Sequence, residues 1–259
     1  MPLIAANGTQ LYYELTGPED APVVVFSNSI GTTVALWEAQ RRALAGQYRV
    51  LCYDTRGHGR SPVVDQPADI GTLAEDLLGL LDELDIWKVH LVGLSLGGMT
   101  AQQFAAQYPE RVSSLVLMAT AATMPGDWNE RAARVREGGM AAIVGAVMGR
   151  WFTPAFQQAP AALALRERFL TIDPRGYAVC CGVIAAMDLR PGNAAIAAPT
   201  LIIAGEQDPA TPLAMNREVQ ASIPGAALIV LSPAAHILNL EQADVVNRHV
   251  LDFLAVQAG

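Results

Sequence analysis

Cysteine is scarce in this sequence, and basic residues form no run along it. The three cysteines, Cys52, Cys180 and Cys181, are an odd number, and neither their spacing nor their neighbours resemble a zinc or redox motif. We expect them to be buried thiols. The formal net charge of −8 argues against a nucleic acid or an anionic membrane as a partner, because both would be repelled.

Long apolar runs are also missing. None reaches the roughly 18 residues that a membrane-spanning helix needs, and residues 1–17 lack the basic start and apolar centre of a signal peptide. We therefore expect a soluble, cytoplasmic protein. The 259 residues, 52% of them apolar and 16% charged, suffice for one large α/β domain with a buried core. Nothing in the sequence indicates its oligomeric state.

Short β-branched runs recur along the chain with helical patterns between them. They predict six strands, at residues 22–27, 49–53, 89–94, 114–118, 200–204 and 227–231. Continuous apolar strands that alternate with helices are typical of a parallel sheet covered on both faces. Residues 11–15 and one further segment would add antiparallel edge strands. We thus predict an α/β fold with a mostly parallel, eight-stranded sheet.

Two helices have clear apolar stripes. The first is predicted over residues 72–84, with a capping box formed by Thr72 and Glu75. Its inward stripe is Leu73, Leu77, Leu80, Leu81 and Leu84. The second is a closing helix over residues 242–256, whose inward positions are Val245, Val246, Leu251 and Leu254. We expect both stripes to pack against the core.

Between residues 121 and 193 the strand pattern disappears. Helix-like segments broken by prolines and glycines predict a helical cap inserted into a core made of residues 1–120 and 194–259. Residues 123–195 hold eight arginines and six acids, so they carry +2 and the remainder −10. A positive cap over a negative body would attract and orient a small anion, although any single arginine here is more simply explained as a solvated one.

The segment GLSLG, at 93–97, follows the apolar run 89–94 and precedes the helix-prone residues 98–107. A strand, Gly-x-Ser-x-Gly and then a helix form the nucleophile elbow of the α/β-hydrolase fold, where a tight turn exposes one serine above the sheet. The glycines allow the backbone to close around that serine. Ser95 is therefore the candidate nucleophile.

A serine hydroxyl needs a base, and the base needs a group that orients it. His236 follows the last predicted strand, at the sheet edge where α/β proteins bind ligands, whereas the other three histidines have ordinary structural explanations. Asp208 follows the strand at 200–204, and Glu206 is its nearest rival. The order Ser95, Asp208, His236 is the one expected for this fold.

Attack on a carbonyl also requires amide donors for the oxygen that becomes negative. The first should be the Leu96 amide, at the start of the helix that follows Ser95. The second should come from the loop after the first core strand, where we predict the amide of Ile30. Many hydrolases have His-Gly in this loop, whereas this chain has Asn28-Ser29.

Six stretches together resemble the 3-oxoadipate enol-lactonase family. They are FSNSIGT (26–32), YDTRGHG (53–59), GLSLGG (93–98), RWFT (150–153), DLRP (188–191) and AHI (235–237). The resemblance implies hydrolysis of the enol-lactone of 3-oxoadipate in the β-ketoadipate pathway of aromatic catabolism, without a metal or an organic cofactor. Because the sequence ends shortly after the predicted closing helix, we expect no fused decarboxylase module.

The substrate implied by this resemblance is a small anionic lactone. Its carboxylate would give the positive cap a purpose, with Arg150 or Arg190 as the binding residue and Trp151 as an apolar wall. Asp54 and Arg56, in a glycine-rich loop, are interpreted as structural, because an arginine in such a loop commonly binds backbone carbonyls.

Other functions use the same three residues. A general esterase, a homoserine-lactone hydrolase and a cofactor-free perhydrolase share the fold and triad, since the pocket decides the substrate. Dehalogenase and epoxide hydrolase chemistry is disfavoured, because these enzymes use an aspartate where this chain has Ser95. A ligand-binding protein without turnover is a further alternative, against which the intact set of three residues argues.

Overall fold

A computed structural model describes residues 3–257 of the chain. Their eight strands form one sheet in the order β1-β2-β4-β3-β5-β6-β7-β8. The bounds are β1 Leu3–Ala6, β2 Thr9–Thr16, β3 Val23–Ser27, β4 Arg49–Tyr53, β5 Val89–Leu94, β6 Val112–Met118, β7 Thr200–Gly205 and β8 Ala227–Leu231. Strands β3 to β8 pair in parallel, whereas β2 is antiparallel to both β1 and β4.

Residues 3–257 also contain eleven α-helices. They are α1 Glu38–Leu44, α2 Ile70–Glu83, α3 Leu96–Gln107, α4 Trp128–Gly138, α5 Val144–Trp151, α6 Pro160–Leu170, α7 Pro174–Ala186, α8 Arg190–Asn193, α9 Leu213–Ser222, α10 Leu238–Glu241 and α11 Ala243–Val256. Short 3₁₀ helices occur at Val34–Trp37, Pro109–Arg111 and Met140–Ala142.

The predicted sheet is confirmed, including the unidentified edge strand, which is β1. The central strand β5 is buried at every position, including its one polar side chain, His90, as its mainly apolar sequence indicates. A strand covered on both faces has no reason to alternate polar and apolar residues. Because strands β3 to β8 are parallel, β3, β5, β6, β7 and β8 all end at the same edge of the sheet, where the loops that carry the candidate residues begin.

Helix α2 begins earlier than predicted, and its predicted cap is wrong. Asp69 is the N-cap residue; its carboxylate accepts the Thr72 amide at 2.7 Å, and Thr72 is the third helical residue rather than the cap. Asp69 is the cap because its backbone is still extended, as an N-cap residue requires, whereas Thr72 is already helical. The predicted stripe holds for Leu73, Leu77, Leu80 and Leu81, which are buried, while Leu84 is half-buried.

Helix α11 closes the fold as predicted. Val246 and Leu254 are buried, Val245 and Leu251 pack against the core from its margin, and Val250 is a further buried position that the prediction omitted.

Helices α4 to α8, called the cap helices below, lie between β6 and β7, where the strand pattern disappears in the sequence. Among residues 3–257 no single helix is long and apolar enough to cross a membrane. The pair α6 and α7 passes that test together by length and composition, but it is bent by 100°. Most of the apolar side chains of α7 are buried within the protein.

The glycine-rich loop after β4 is structural, as predicted, but for a different reason. Arg56 forms a buried ion pair with the carboxylate of Asp76 on α2, instead of binding backbone carbonyls. Asp54 accepts the amides of Val34 and Arg60 at 2.8 and 2.9 Å. Burial raises the pKa of Asp54 to about 6, even though these two hydrogen bonds oppose that shift.

The three cysteines are buried and form no disulfide, as predicted. Burial raises the pKa of Cys180 and of Cys181 to about 12, so neither is a thiolate near neutral pH.

Candidate active site

Ser95 lies at a sharp turn between β5 and α3. Its φ is 54° and its ψ is −116°, a conformation that non-glycine residues rarely adopt. The flanking glycines permit it: a Cβ on Gly93 would overlap the backbone of Gly97, and a Cβ on Gly97 would overlap the backbone of Ser27. The predicted elbow is therefore present, and its glycines are required by close backbone approach.

His236 and Asp208 are joined by a hydrogen bond of 2.8 Å between Nδ1 and Oδ2. Because a carboxylate only accepts, Nδ1 carries the proton and Nε2 is left as a base. Asp208 also accepts the Ala210 amide at 2.7 Å, and from Thr211 both the amide at 3.1 Å and the hydroxyl at 2.6 Å.

The pKa of Asp208 is set by opposing effects. Burial raises it, but the attraction and hydrogen bond of His236 and the bonds from Thr211 outweigh burial, so the pKa lies below its usual value. A carboxylate that stays ionised can hold one imidazole tautomer and stabilise the imidazolium formed during reaction.

The rival residues lie elsewhere. Glu206 accepts a hydrogen bond from the Ser232 hydroxyl and is exposed. His90 is bonded through Nδ1 to Ser114 at 2.8 Å, and His58 is buried in the loop after β4. Among residues 3–257, His236 is the histidine that shares a cavity with Ser95.

That cavity has a volume of about 560 Å³ and lies between the sheet edge and the cap helices. Ser95, Ile30 and His236 line its floor. No hydrogen bond joins Ser95 to His236 in the described part of the chain, although both residues line one cavity. Contacts of this type often tighten only when substrate binds.

The two backbone amides predicted to stabilise the carbonyl oxygen, those of Leu96 and Ile30, have no partner among the described residues. The Leu96 amide is the first of α3 and has no partner inside the helix, as for any helix start. Ile30 lies in the turn closed by the bond from the Thr32 amide to the Ser29 carbonyl, and it lines the cavity. Neither amide donates to another described residue.

Asn28, which replaces the more common histidine, braces this turn. Its amide donates to the Tyr53 carbonyl at 2.7 Å, and its oxygen accepts the Trp37 indole N–H at 2.7 Å. The side chain thereby ties the loop after β3 to the end of β4.

The cap contributes the opposite wall. Trp151 is buried, lines the cavity and packs edge-on against Phe169 with ring centroids 5.4 Å apart; Arg150 beside it is exposed and also lines the cavity. Arg190 does not line the cavity. It is exposed and held by Asp188 through hydrogen bonds of 2.9 and 2.6 Å, so the expectation that it binds substrate is corrected.

Sequence reasoning missed the face of α4 that lines the cavity. Trp128, Arg131 and Arg134 recur every three residues, and all three line it. Arg131 lies over the rings of Trp128 and Tyr177, at 5.0 and 5.4 Å from their centroids. The three-residue spacing of an aromatic and two arginines was the signal that would have identified this face.

Three cavity arginines are not neutralised. Within residues 3–257, Arg131, Arg134 and Arg150 take part in no ion pair, and the buried Nε of Arg131 has no hydrogen-bond partner. Two exposed acids, Asp127 and Glu130, also line the cavity, so its rim carries both signs. Guanidiniums without an ion pair still favour an anionic ligand, although Arg134 also donates to the Ala142 carbonyl at 3.3 Å.

Comparison with known protein families agrees with this geometry. A family described as alpha/beta hydrolase fold matches residues 22–175, and one described as TAP-like protein matches residues 177–257.

Similar proteins include 3-oxoadipate enol-lactonase 2 of Acinetobacter baylyi, which is 38% identical over 95% of this chain and 94% of its own. A putative carbamate hydrolase RutD of Variovorax paradoxus is 33% identical over 95% and 96%. The crystal structure of the enol-lactonase from Burkholderia xenovorans LB400 superposes with a TM-score of 0.95 at 42% identity, covering 98% of this chain and all of that one.

Proposed function

Because this chain belongs to the 3-oxoadipate enol-lactonase family of α/β hydrolases, we propose that it hydrolyses the enol-lactone of 3-oxoadipate to 3-oxoadipate. The observation that carries the proposal is the cavity itself. Ser95 and His236 lie on its floor, and three arginines without ion pairs line its cap side. The same proposal includes a cytoplasmic location and a role in the catabolism of aromatic compounds.

The first half of the reaction forms an acyl-enzyme. His236 Nε2 takes the proton from the Ser95 hydroxyl as Oγ attacks the lactone carbonyl carbon. The amides of Ile30 and Leu96 donate to the carbonyl oxygen as it becomes negative. The ring C–O bond then breaks, and the enol oxygen leaves with the proton held by His236.

The second half releases the product. Water gives a proton to His236 Nε2 and attacks the acyl carbon, and the proton returns to Ser95 Oγ as the ester bond breaks. Asp208 stays ionised throughout and keeps Nδ1 protonated. The released enol becomes the ketone of 3-oxoadipate by moving one proton from oxygen to carbon.

Arg131 is the principal residue proposed to bind the substrate carboxylate, with Arg134 and Arg150 in support. Its guanidinium is held in place by two aromatic rings, so little side-chain freedom is lost on binding. Trp151 supplies the apolar wall beside the ring.

The test compares kcat/KM for the enol-lactone with that for p-nitrophenyl acetate. We expect the lactone to be preferred, because the acetyl ester lacks the carboxylate. A preference for the acetyl ester would instead favour a general esterase.

A matched pair of variants tests the arginine assignment. Arg131→Met should raise KM for the lactone on the order of 10-fold or more and leave KM for the neutral ester nearly unchanged, because one charge-assisted contact is lost. Arg190→Met is the control and should change neither, since Arg190 lies outside the cavity and is paired with Asp188. Equal effects of Arg131→Met on both substrates would remove the assignment.

A further inference from the structure

The three residues Met118 to Thr120, at the end of β6 and directly after it, hold the backbone of Ser95. The Ser95 amide donates to the Met118 carbonyl at 2.9 Å, and the Ser95 carbonyl accepts the Thr120 hydroxyl at 2.9 Å. Between them Ala119 has a φ of 43°, and its amide donates to Ile203 of β7 at 3.0 Å. The unfavourable conformation of Ser95 is therefore fixed by contacts on both its polar backbone groups.

Asn216 of α9 connects this segment to the loop that carries the acid. Its Oδ1 accepts the Thr120 amide at 3.3 Å, and its Nδ2 donates to the Thr211 carbonyl at 2.9 Å. Thr120, Thr211 and Asn216 are completely buried. One side chain thus touches a neighbour of the nucleophile and a neighbour of the acid.

The chain of bonds continues to the base. The Thr211 hydroxyl donates to Asp208 Oδ2 at 2.6 Å, and the same oxygen accepts His236 Nδ1 at 2.8 Å. Ser95 and His236 come from loops far apart in the sequence and make no direct bond in the described residues. The buried contacts from Thr120 through Asn216 to Thr211 connect the loop after β6, which bonds to Ser95, with the loop after β7, which carries Asp208.

We propose that Asn216 is a positioning residue, which sets the separation between the Ser95 turn and the Asp208–His236 pair by bonding to Thr120 and Thr211 at once. This inference rests on the proposed roles of those three residues in ester hydrolysis, but not on the identity of the ester. An amide suits the position because it offers one acceptor and one donor from the same planar group.

The first test is Asn216→Leu, which keeps the approximate volume and removes both bonds. We expect kcat to fall by about 10-fold to 100-fold with KM changed little, because misplacement by about 1 Å can have an effect of that size. The rate at which a fluorophosphonate probe labels Ser95 should fall in parallel. That second readout needs no lactone, so it remains informative if another ester proves to be the substrate.

Asn193→Leu is the matched control. Asn193 is equally buried and its Nδ2 donates to Gln102 and Ser222, yet it touches neither catalytic loop. It should lower the melting temperature without slowing the labelling of the folded protein. If both variants slow labelling alike, Asn216 has no special role.

Asn216→Asp separates positioning from simple loss of stability. An ionised aspartate still accepts from Thr120 but cannot donate to Thr211, whereas its protonated form can do both. Burial raises the pKa of such a carboxyl. The labelling rate relative to wild type at the same pH should therefore rise as pH falls from 8 to about 5.5.

The opposite trend is expected if the new charge acts on the Asp208–His236 pair, the nearest ionisable groups along this network, because it would hold the imidazole protonated. A ratio that stays flat, or that decreases as pH falls from 8 to about 5.5, overturns the inference. A wild-type labelling rate in the Asn216→Leu variant overturns it as well. Absence of labelling in the wild type itself would count against the proposed triad.

Discussion

At the scale of single residues, hydrogen bonds determine what Asp208 and Asn28 can do in the site. Asp208 accepts four hydrogen bonds, so it has no capacity to act as a proton carrier and instead fixes the imidazole. Asn28 uses both ends of its amide to brace the loop that presents Ile30.

Asp208→Asn tests this division of roles. The new amide N–H can donate to His236 Nδ1, which favours the imidazole tautomer protonated on Nε2. That tautomer cannot take the proton from Ser95, so kcat should fall by about 10⁴ as in other triads. The fold should persist, because the change is nearly isosteric. Steady-state turnover with circular dichroism as a control measures both, and a loss below 10-fold would contradict the role of Asp208.

His58 makes the stability of the protein depend on pH. Its ring is buried, Nδ1 contacts the Arg56 carbonyl at 3.2 Å, and Nε2 has no partner. Burial lowers its pKa to about 4 from the usual 6.5. The unfolded chain therefore takes up this proton first, and stability present above pH 6.5 is lost as pH falls towards 4, by up to about 3 kcal/mol.

His58→Asn removes that titration while its amide can still donate to the Arg56 carbonyl. Denaturant unfolding at pH 7 and pH 4.5 should show a smaller loss of unfolding free energy on acidification than in wild type. His249→Asn, on α11 and half-buried, should keep the wild-type loss. Equal losses in all three proteins would contradict the assignment to His58.

At the scale of elements, the cap helices meet the body through backbone as well as side chains. A Cβ on Gly57 would come within 2.5 Å of the Gly176 Cα, and a Cβ on Gly176 would overlap the Gly57 carbonyl. The loop after β4 and the start of α7 therefore touch without side chains between them. This contact requires glycine on both sides.

Two alanine substitutions in the same helix test it. Gly176→Ala should lower the unfolding free energy by about 1–3 kcal/mol, because the backbones must separate. Gly182→Ala, also in α7, has no atom within 4 Å of its new Cβ and should be stabilising by up to about 1 kcal/mol through helix propensity. Thermal and denaturant unfolding give both values, and effects of the same sign would contradict the contact.

At the scale of the whole molecule, charge is distributed unevenly. The chain carries −8, yet the arginines on the cap side of the cavity are not paired with acids. An anionic substrate is repelled by the body and attracted at the cavity, where fields are less screened than at the surface.

The KM for the anionic lactone should therefore rise with salt, as ions screen the cavity arginines over a length of about 10 Å at 0.1 M. The KM for p-nitrophenyl acetate should stay nearly constant from 20 to 300 mM sodium chloride. A lactone KM that falls with salt would mean that repulsion by the acidic body dominates.

The sequence by itself determined the mostly parallel sheet and the places of its strands along the chain, the elbow, and the pairing of Asp208 with His236. Parallel strands must end at one edge, so residues that follow β5, β7 and β8 meet there wherever they lie in the chain. The sequence pattern was decisive at the elbow, because that turn requires Gly-x-Ser-x-Gly. It was less decisive at the start of α2, where Asp69 and Thr72 are both residue types that cap helices.

Only the tertiary structure decided which arginines face the cavity and what holds the two catalytic loops apart. The packing of α4 against α7 sets the rotation of α4 about its axis, and the three-residue spacing on α4 groups side chains on one face without saying what that face contacts. Arg131 was therefore missed, and Arg190 was named beside Arg150. The role of Asn216 arises from contacts with residues 96 positions earlier and 5 earlier. The contact with Thr120 exists only after the sheet has formed, because the pairing of β6 with β7 brings the two segments within hydrogen-bonding distance.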